Sequence, residues 1–571
     1  MKAQTGAMAG RLRRLAPLAV FSVATMGLLT ATSGTLAAWT DDEYVSAGAG
    51  VMVAGDCSTT TLFQTQSAAR ELSGSLGGED LDTLAAVHGI SLRNTAGAVF
   101  VDPATATRVD PVTFTSALEA GAFGSPLLSA AVGLNQPAGS TGAYTQWARA
   151  KASGQAGGAA GLVSDQSGAI DGTGTANGSA STPTAASVNL ASFIPASQAA
   201  MTLDVGALAS SSEVDACMLN NGWPALNPSP VVTRSYGIAG LRLNLSADSI
   251  KPLTTSVSGI LDSTAGDLDA LSSPTGSLAT AIKAGVKGLV PDSSGLGVGS
   301  VTTKITFRPP DLTAARQLLG ETLTDGVVTV DLANSRMSFD LSKLVPGPAG
   351  LNGRAPNTEL VLDDAAVQDL TQRTSVLLQK WGDSLTGEVK KAVNATSVEV
   401  DTKVPLTLAG VPLAVVTLHN DATVEAFASG SPPAPVLSTE VLGTVGLNLL
   451  GSVTSALLDG TGEVVAGALQ KGLFTAGGLL PMAEAAIRSA VVPVAAEAGT
   501  ALAPLANALS LTVNVQPDQP GAPTGNAEAG RAGAGQYKVS ALRVGAVGTA
   551  AELYFATASA GPVAFRPAGV G

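Results

Sequence analysis

The sequence predicts an α+β protein: mixed or antiparallel sheets carrying long amphipathic helices, with three strand–helix–strand units in the C-terminal two-thirds. Three observations predict it. Apolar and polar residues alternate in short runs such as Leu241, Leu243 and Leu245, separated by Arg242 and Asn244. Apolar residues elsewhere recur at helical spacing over long stretches, clearest from Val367 to Val389. The order of alternation, helical run and alternation then returns three times after residue 231. An ordinary α+β domain with several helices is the alternative reading of the same pattern.

The chain opens with Lys2, Arg11, Arg13 and Arg14, followed by an uncharged apolar stretch from Leu15 to Thr30 and small residues up to Ala37 and Ala38. A basic start, a short apolar run and a small-residue site describe a secretory signal peptide, here residues 1–38. The apolar run is shorter than the roughly 20 residues a membrane span needs. No later run reads as a membrane helix. The nearest, Ala485–Leu509, holds Arg488, Glu497, Pro493 and Pro504 and fits a packed helical hairpin better.

Residues 39–150 read as an N-terminal module of short strands. Asp102-Pro103 and Asp110-Pro111 mark turns, and Glu79-Asp80-Leu81-Asp82 caps a short helix through Leu84, Ala85 and Val87. Residues 151–230 are dominated by Gly, Ala, Ser and Thr. They suit a flexible linker or small-residue β-structure; Leu162, Val163 and Ile170 favour strands with a loose tip near 172–183. Pro224, Pro228 and Pro230 suggest a boundary.

Residues 231–430 hold the sharper units. A helix is expected through Leu253, Val257, Ile260, Leu261, Leu268 and Leu271, then a strand through Val301, Thr303, Ile305 and Phe307. Val328, Val330 and Leu332 should face Met337, Phe339 and Leu341 across a turn at Asn334-Ser335. The best helix carries one stripe, Val367, Leu370, Thr374, Leu377, Trp381, Leu385 and Val389, with Asp363 and Asp364 at its positive end. Gly410 turns the next strand back, and Pro405 argues for an edge position. Residues 431–571 read as weak strand pieces near Val441–Leu449, an Ala/Leu/Val-rich helical region, a strand through Leu509, Leu511, Val513 and Val515, and closing strands near 537–547 and 552–559.

Composition narrows function. The chain has 31 Lys+Arg against 44 Asp+Glu, a formal charge of −13, and the leader removes four of the cations. So acidic a chain is repelled by nucleic acid backbones, and no nucleic acid partner is expected. Cys57 and Cys217, the two cysteines, lie in the exported part. Oxidation there allows a disulfide; two buried thiols are the alternative.

Ala38-Trp39-Thr40-Asp41-Asp42-Glu43, Ala54-Gly55-Asp56-Cys57, Leu72-Ser73-Gly74-Ser75-Leu76, Leu81 to Val87, Gln146 to Ile170, Ser235 to Gly240, Ala541 to Gly545 and Ala556 to Pro562 occur in an order that resembles the actinobacterial choice-of-anchor G family of exported proteins. The resemblance implies a cell-surface or secreted protein without assigned catalytic residues. Members carry varied C-terminal surface anchors, whereas the segment from Gly561 to Gly571 shows no sortase motif, so release or non-covalent retention is expected.

The sequence carries no recognisable catalytic or metal-binding pattern. His88 and His419 are the two histidines, read as a helix-end residue and a turn residue, and no nucleophile elbow, Walker loop or zinc spacing accompanies them. Asp41-Asp42-Glu43, Glu79-Asp80-Asp82 and Asp262 with Asp267 and Asp269 lack the spacing of a calcium loop and read as solvated faces or caps. No catalytic, cofactor or metal residue is therefore assigned, and no cofactor is expected. The sequence reading is a non-enzymatic, extracellular protein with a structural or adhesive envelope role, whose partners are envelope components or other surface proteins. The alternative is a carrier of apolar ligands in a helix-on-sheet tunnel.

Overall fold

The strand Phe63–Leu76 shows how the sequence builds the core. Phe63, Thr65, Ser67 and Ala69 are buried while Gln64, Gln66, Ala68 and Arg70 are half-buried on the other side, the two-residue period of a strand with one covered face. A computed structural model describes residues 55–566 apart from 77–78, 82–87, 118–131, 135–144, 171–185, 191–199, 292–293, 348, 443–446, 525–527 and 547–550. The expected leader, the short helix after Asp82 and the loose tip near 172–183 lie outside the described residues.

Four sheets organise the chain, and every pairing among the described strands is antiparallel. The first runs Thr358–Leu360, Leu509–Val515, Tyr537–Ala546, Glu552–Phe565, Phe63–Leu76, Ile90–Thr95 and Ala98–Asp102, with Glu79–Asp80 off its path. The second runs Trp223–Ile238, Leu208–Asn220, Gln155–Gly161, Thr145–Ala150, Thr113–Ala117 and Thr107–Asp110. The third runs Thr322–Thr324, Val328–Asp331, Arg336–Asp340, Leu241–Ser246, Met201–Val205, Ala186–Asn189 and Val132–Leu134. In the fourth, Leu296–Val298 and Thr302–Phe307 both pair with Ser397–Leu408, which pairs with Val411–Thr423 and then Val436–Val441.

The first and second sheets pack face to face, and small residues let them approach closely. A Cβ on Gly158 would stand 2.3 Å from the carbonyl oxygen of Ala68 and 2.7 Å from that of Ser559. Side chains stitch the interface: Asn94 Nδ2 donates to the Ala150 carbonyl at 2.8 Å, and Ser210 Oγ to that of Ala556 at 2.6 Å. The Gly/Ala run from 155 to 161 is therefore buried β-structure, not a linker.

Five long helices cover the sheets: α1 (Ile250–Ser272), α2 (Ser277–Leu289), α3 (Asp364–Ala395), α4 (Leu447–Leu473) and α5 (Leu479–Leu502). Asp363 caps α3, its carboxylate accepting from the Ala366 amide at 2.9 Å, which satisfies one of the donors a helix start leaves open. The buried stripe of α3 passes through Leu378 rather than Leu377. Among the described residues α5 alone is long and apolar enough to cross a membrane. It is tied to other helices by polar contacts: Arg488 pairs with Asp383 of α3, and the Glu497 carboxylate accepts from the amides of Asp248 and Ser249 at the start of α1.

The strand–helix–strand order does recur three times, but not as self-contained units. Leu241–Ser246 belongs to the third sheet and Thr302–Phe307 to the fourth; Thr358–Leu360 to the first and Ser397–Leu408 to the fourth; Val436–Val441 to the fourth and Leu509–Val515 to the first. Each helical segment carries the chain from one sheet to another. The boundaries at 150, 230 and 430 likewise separate no compact bodies: Gly55–Gly571 is one unit, and Phe63–Leu76 pairs with Glu552–Phe565 along nearly its whole length.

Three local readings change. Asn221-Gly222, with φ of 52° and 81°, forms the tight turn of a long hairpin, so the prolines after it mark an edge strand and not a boundary. Pro405 lies in a strand paired on both sides. It fits because the neighbouring chain breaks there, between Val298 and Thr302, and the Pro405 carbonyl still accepts from Gly299. The segment near 441–449 is a strand ending at Val441 and a helix starting at Leu447.

Candidate functional site

The outward side chains of the first sheet converge on an open cleft of about 480 Å³. Register places them. Gln66 is opposite Arg93, Arg70 opposite Thr557, and Ala68 between Ser91 and Ser559, which is opposite Lys538. Two guanidiniums and an ammonium thus line one cleft in an otherwise acidic protein. The Arg93 guanidinium donates to the Gln64 side-chain oxygen at 2.8 Å. Thr557 Oγ1 lies 2.8 Å from Ser540 Oγ, while the buried Ser559 Oγ has no hydrogen-bond partner among the described residues. Phe100, 62% exposed, forms one wall, and Asp102 beside it bonds His88 Nε2 at 3.0 Å. The hydrogen-bond partner of His88 is thus the Asp102 carboxylate and not one of the cleft hydroxyls. The cleft presents charges, hydroxyls, amides and an exposed ring together.

A disulfide fixes the chain entering this sheet. Cys57 and Cys217 are bonded, with S–S 2.11 Å and Cα–Cα 5.8 Å. Of the two open readings of the cysteines, the bonded one holds. Gly154 leaves room for it: with φ of +95°, its missing Cβ would sit 3.2 Å from that of Cys217.

His419 is not a turn residue. It lies inside Val411–Thr423, directly opposite Asp401, with its Nδ1 2.8 Å from Asp401 Oδ1 and 3.9 Å from Glu399 Oε1. The bonded Asp401 carboxylate raises its pKa above the ordinary histidine value. This is the one group of three possible metal ligands among the described residues. In the sequence both histidines stand isolated. The signal was the spacing Glu399-x-Asp401 and His419-x-Asp421 around Gly410, but a bulge between Leu406 and Thr407 shifts the register by one residue, so a plain hairpin would have opposed Asp401 to Leu418. Of the other acidic groups, Asp262 pairs with Arg316 on the solvent side of α1, and Asp41-Asp42-Glu43 falls outside the described residues.

Residues 67–561 match the family described as Domain of unknown function (DUF8394). The chain belongs to that family. The DUF8394 match runs across all four sheets and includes Cys217, the His419 group and the cleft apart from Gln66. No curated protein and no solved structure matches the chain.

Proposed function

We propose that this DUF8394 chain is an exported, non-enzymatic surface protein with a structural or adhesive role in the cell envelope, as the choice-of-anchor G resemblance implies. The Cys57–Cys217 disulfide carries the reading, because such bonds persist in oxidising compartments and are rare in the cytosol. The polar cleft supplies a contact surface for an envelope polysaccharide: hydroxyl- and acid-bearing sugars suit arginine, amide and hydroxyl partners beside an exposed ring. Fractionation of the native cells, with peptide mapping under non-reducing conditions, tests it. The expected result is a chain beginning near Ala38, carrying the Cys57–Cys217 cross-link and recovered from the surface or medium. A cytoplasmic protein with two free thiols would refute it.

A carrier of apolar ligands is the second reading, favoured by a groove of about 440 Å³ between α1 and α5 lined by Ile260, Leu271, Leu479 and Met482, the last 63% exposed. It is an open groove, not a tunnel. Saturable uptake of an apolar fluorophore, abolished by Ala483→Trp in a variant of unchanged melting temperature, would support it; no uptake would remove it.

A further inference from the structure

We infer that Glu399, Asp401 and His419 form a binding site for one divalent transition-metal ion on the solvent face of the fourth sheet. One ligand atom from each of the three residues lies within 4.8 Å of the other two, and His419 Nδ1 stands 2.8 Å from Asp401 Oδ1 and 3.9 Å from Glu399 Oε1. Ligands bound at roughly 2.1 Å to a common ion stand about 3–4 Å apart, so the group needs little movement to close on a metal. Its backbone is already fixed. Glu399 and Asp401 project from one side of Ser397–Leu408 while Val398, Val400 and Thr402 anchor the other side in the core; His419 projects between the buried Leu418 and Asn420 of the partner strand.

The charges around the group point to a cation independently of its geometry. Glu399 and Asp421 are direct cross-strand partners, and like charges so placed are destabilising. The cations on that face do not neutralise them: Lys304 is the cross-strand neighbour of Asp401 and Lys403 follows it along the strand, yet among the described residues neither makes an ion pair with these carboxylates. Thr306 faces Glu399 on one side and Val436 faces His419 on the other, adding no charge. A divalent ion between the carboxylates would relieve the repulsion and take the place of the direct His419–Asp401 contact.

The donor set selects the ion. An imidazole nitrogen with carboxylate oxygens suits zinc or manganese, whereas calcium takes oxygen ligands in larger number. Three protein ligands leave positions open to water or an external carboxylate.

The test uses the untagged, full-length, disulfide-bonded protein, stripped with a chelator and titrated calorimetrically with zinc near pH 7.5. One equivalent should bind. His419→Gln and Asp401→Asn should each weaken binding about tenfold or more, whereas Glu440→Gln on the same face should leave it unchanged. Melting temperatures confirm that the variants are folded. Because the chain has only two histidines, imidazole NMR gives a second readout: zinc should move the His419 signals and leave those of His88 in place. Absence of saturable zinc binding, or binding indifferent to His419→Gln, would overturn the assignment. Equal binding of calcium that survives His419→Gln would also overturn it, reducing the group to an acidic surface.

Discussion

Glu71 should make the protein less stable as pH rises, and Glu71→Gln should remove that dependence. Glu71 is 4% exposed, its Oε2 lacks a hydrogen-bond partner among the described residues, and burial pushes its pKa from 4.5 up to about 8. Below pH 4.5 the carboxyl is protonated in both folded and unfolded chains and adds no pH dependence. Between 4.5 and 8 the unfolded chain gives up the proton while the folded one keeps it, so each pH unit costs the folded state up to about 1.4 kcal/mol. Above 8 the cost levels off at roughly 5 kcal/mol, an upper value that water entry and relaxation reduce. Glutamine keeps the shape and cannot ionise. Urea unfolding at pH 5 and pH 8.5 provides the assay: the wild type should lose several kcal/mol between the two, and the variant distinctly less. Equal losses in both proteins would refute the reasoning and show that Glu71 ionises without penalty.

Other perturbations test the fold. Replacing both cysteines by serine frees a segment spanning 160 positions and should cost about 3–5 kcal/mol in denaturant unfolding under oxidising conditions; no difference from the wild type would mean that the bond is not formed. Gly158→Ala should destabilise by about 1–3 kcal/mol because its methyl meets backbone oxygens of two strands that cannot turn aside. Gly266→Ala, in α1 with nothing within 4 Å of the added carbon, should instead stabilise by up to about 1 kcal/mol, and paired thermal melts separate the two signs. Asp363→Ala should cost about 1 kcal/mol through loss of the α3 cap, read in the same melts.

Local pattern was legible wherever one period dominated. Val328 does oppose Phe339 and Val330 opposes Met337 across the Asn334-Ser335 turn, and α3 runs where its stripe and Asp363 place it. Long-range pairing was not legible, because nothing local to Phe63–Leu76 says that its partner lies near residue 560. Composition also misled. The Gly-rich run at 155–161 looks pliable until an opposing sheet shows why side chains are excluded there, and the prolines after Asn221 looked like a border until the Asn-Gly turn explained them as edge residues. The cleft and the His419 group were hidden for the same reason: both assemble from residues whose proximity depends on register, and a single bulged residue decided the second.

The pairing of Phe63–Leu76 with Glu552–Phe565 also sets the order of events in synthesis. A strand near the start has its main neighbour almost five hundred residues later, so the first sheet lacks its central pair until the last segment has emerged. The second sheet, which packs on it, must wait with its inner face uncovered. Contacts of such separation fold slowly, and a nascent chain cannot complete its structure from the front. Were the chain exported unfolded through a narrow membrane pore, as proposed above, this delay would keep it threadable until nearly all of it had crossed. A shortened chain lacking residues after 551 would keep its long helices but lose the strand that closes the first sheet, exposing two long hydrogen-bonding edges to aggregation.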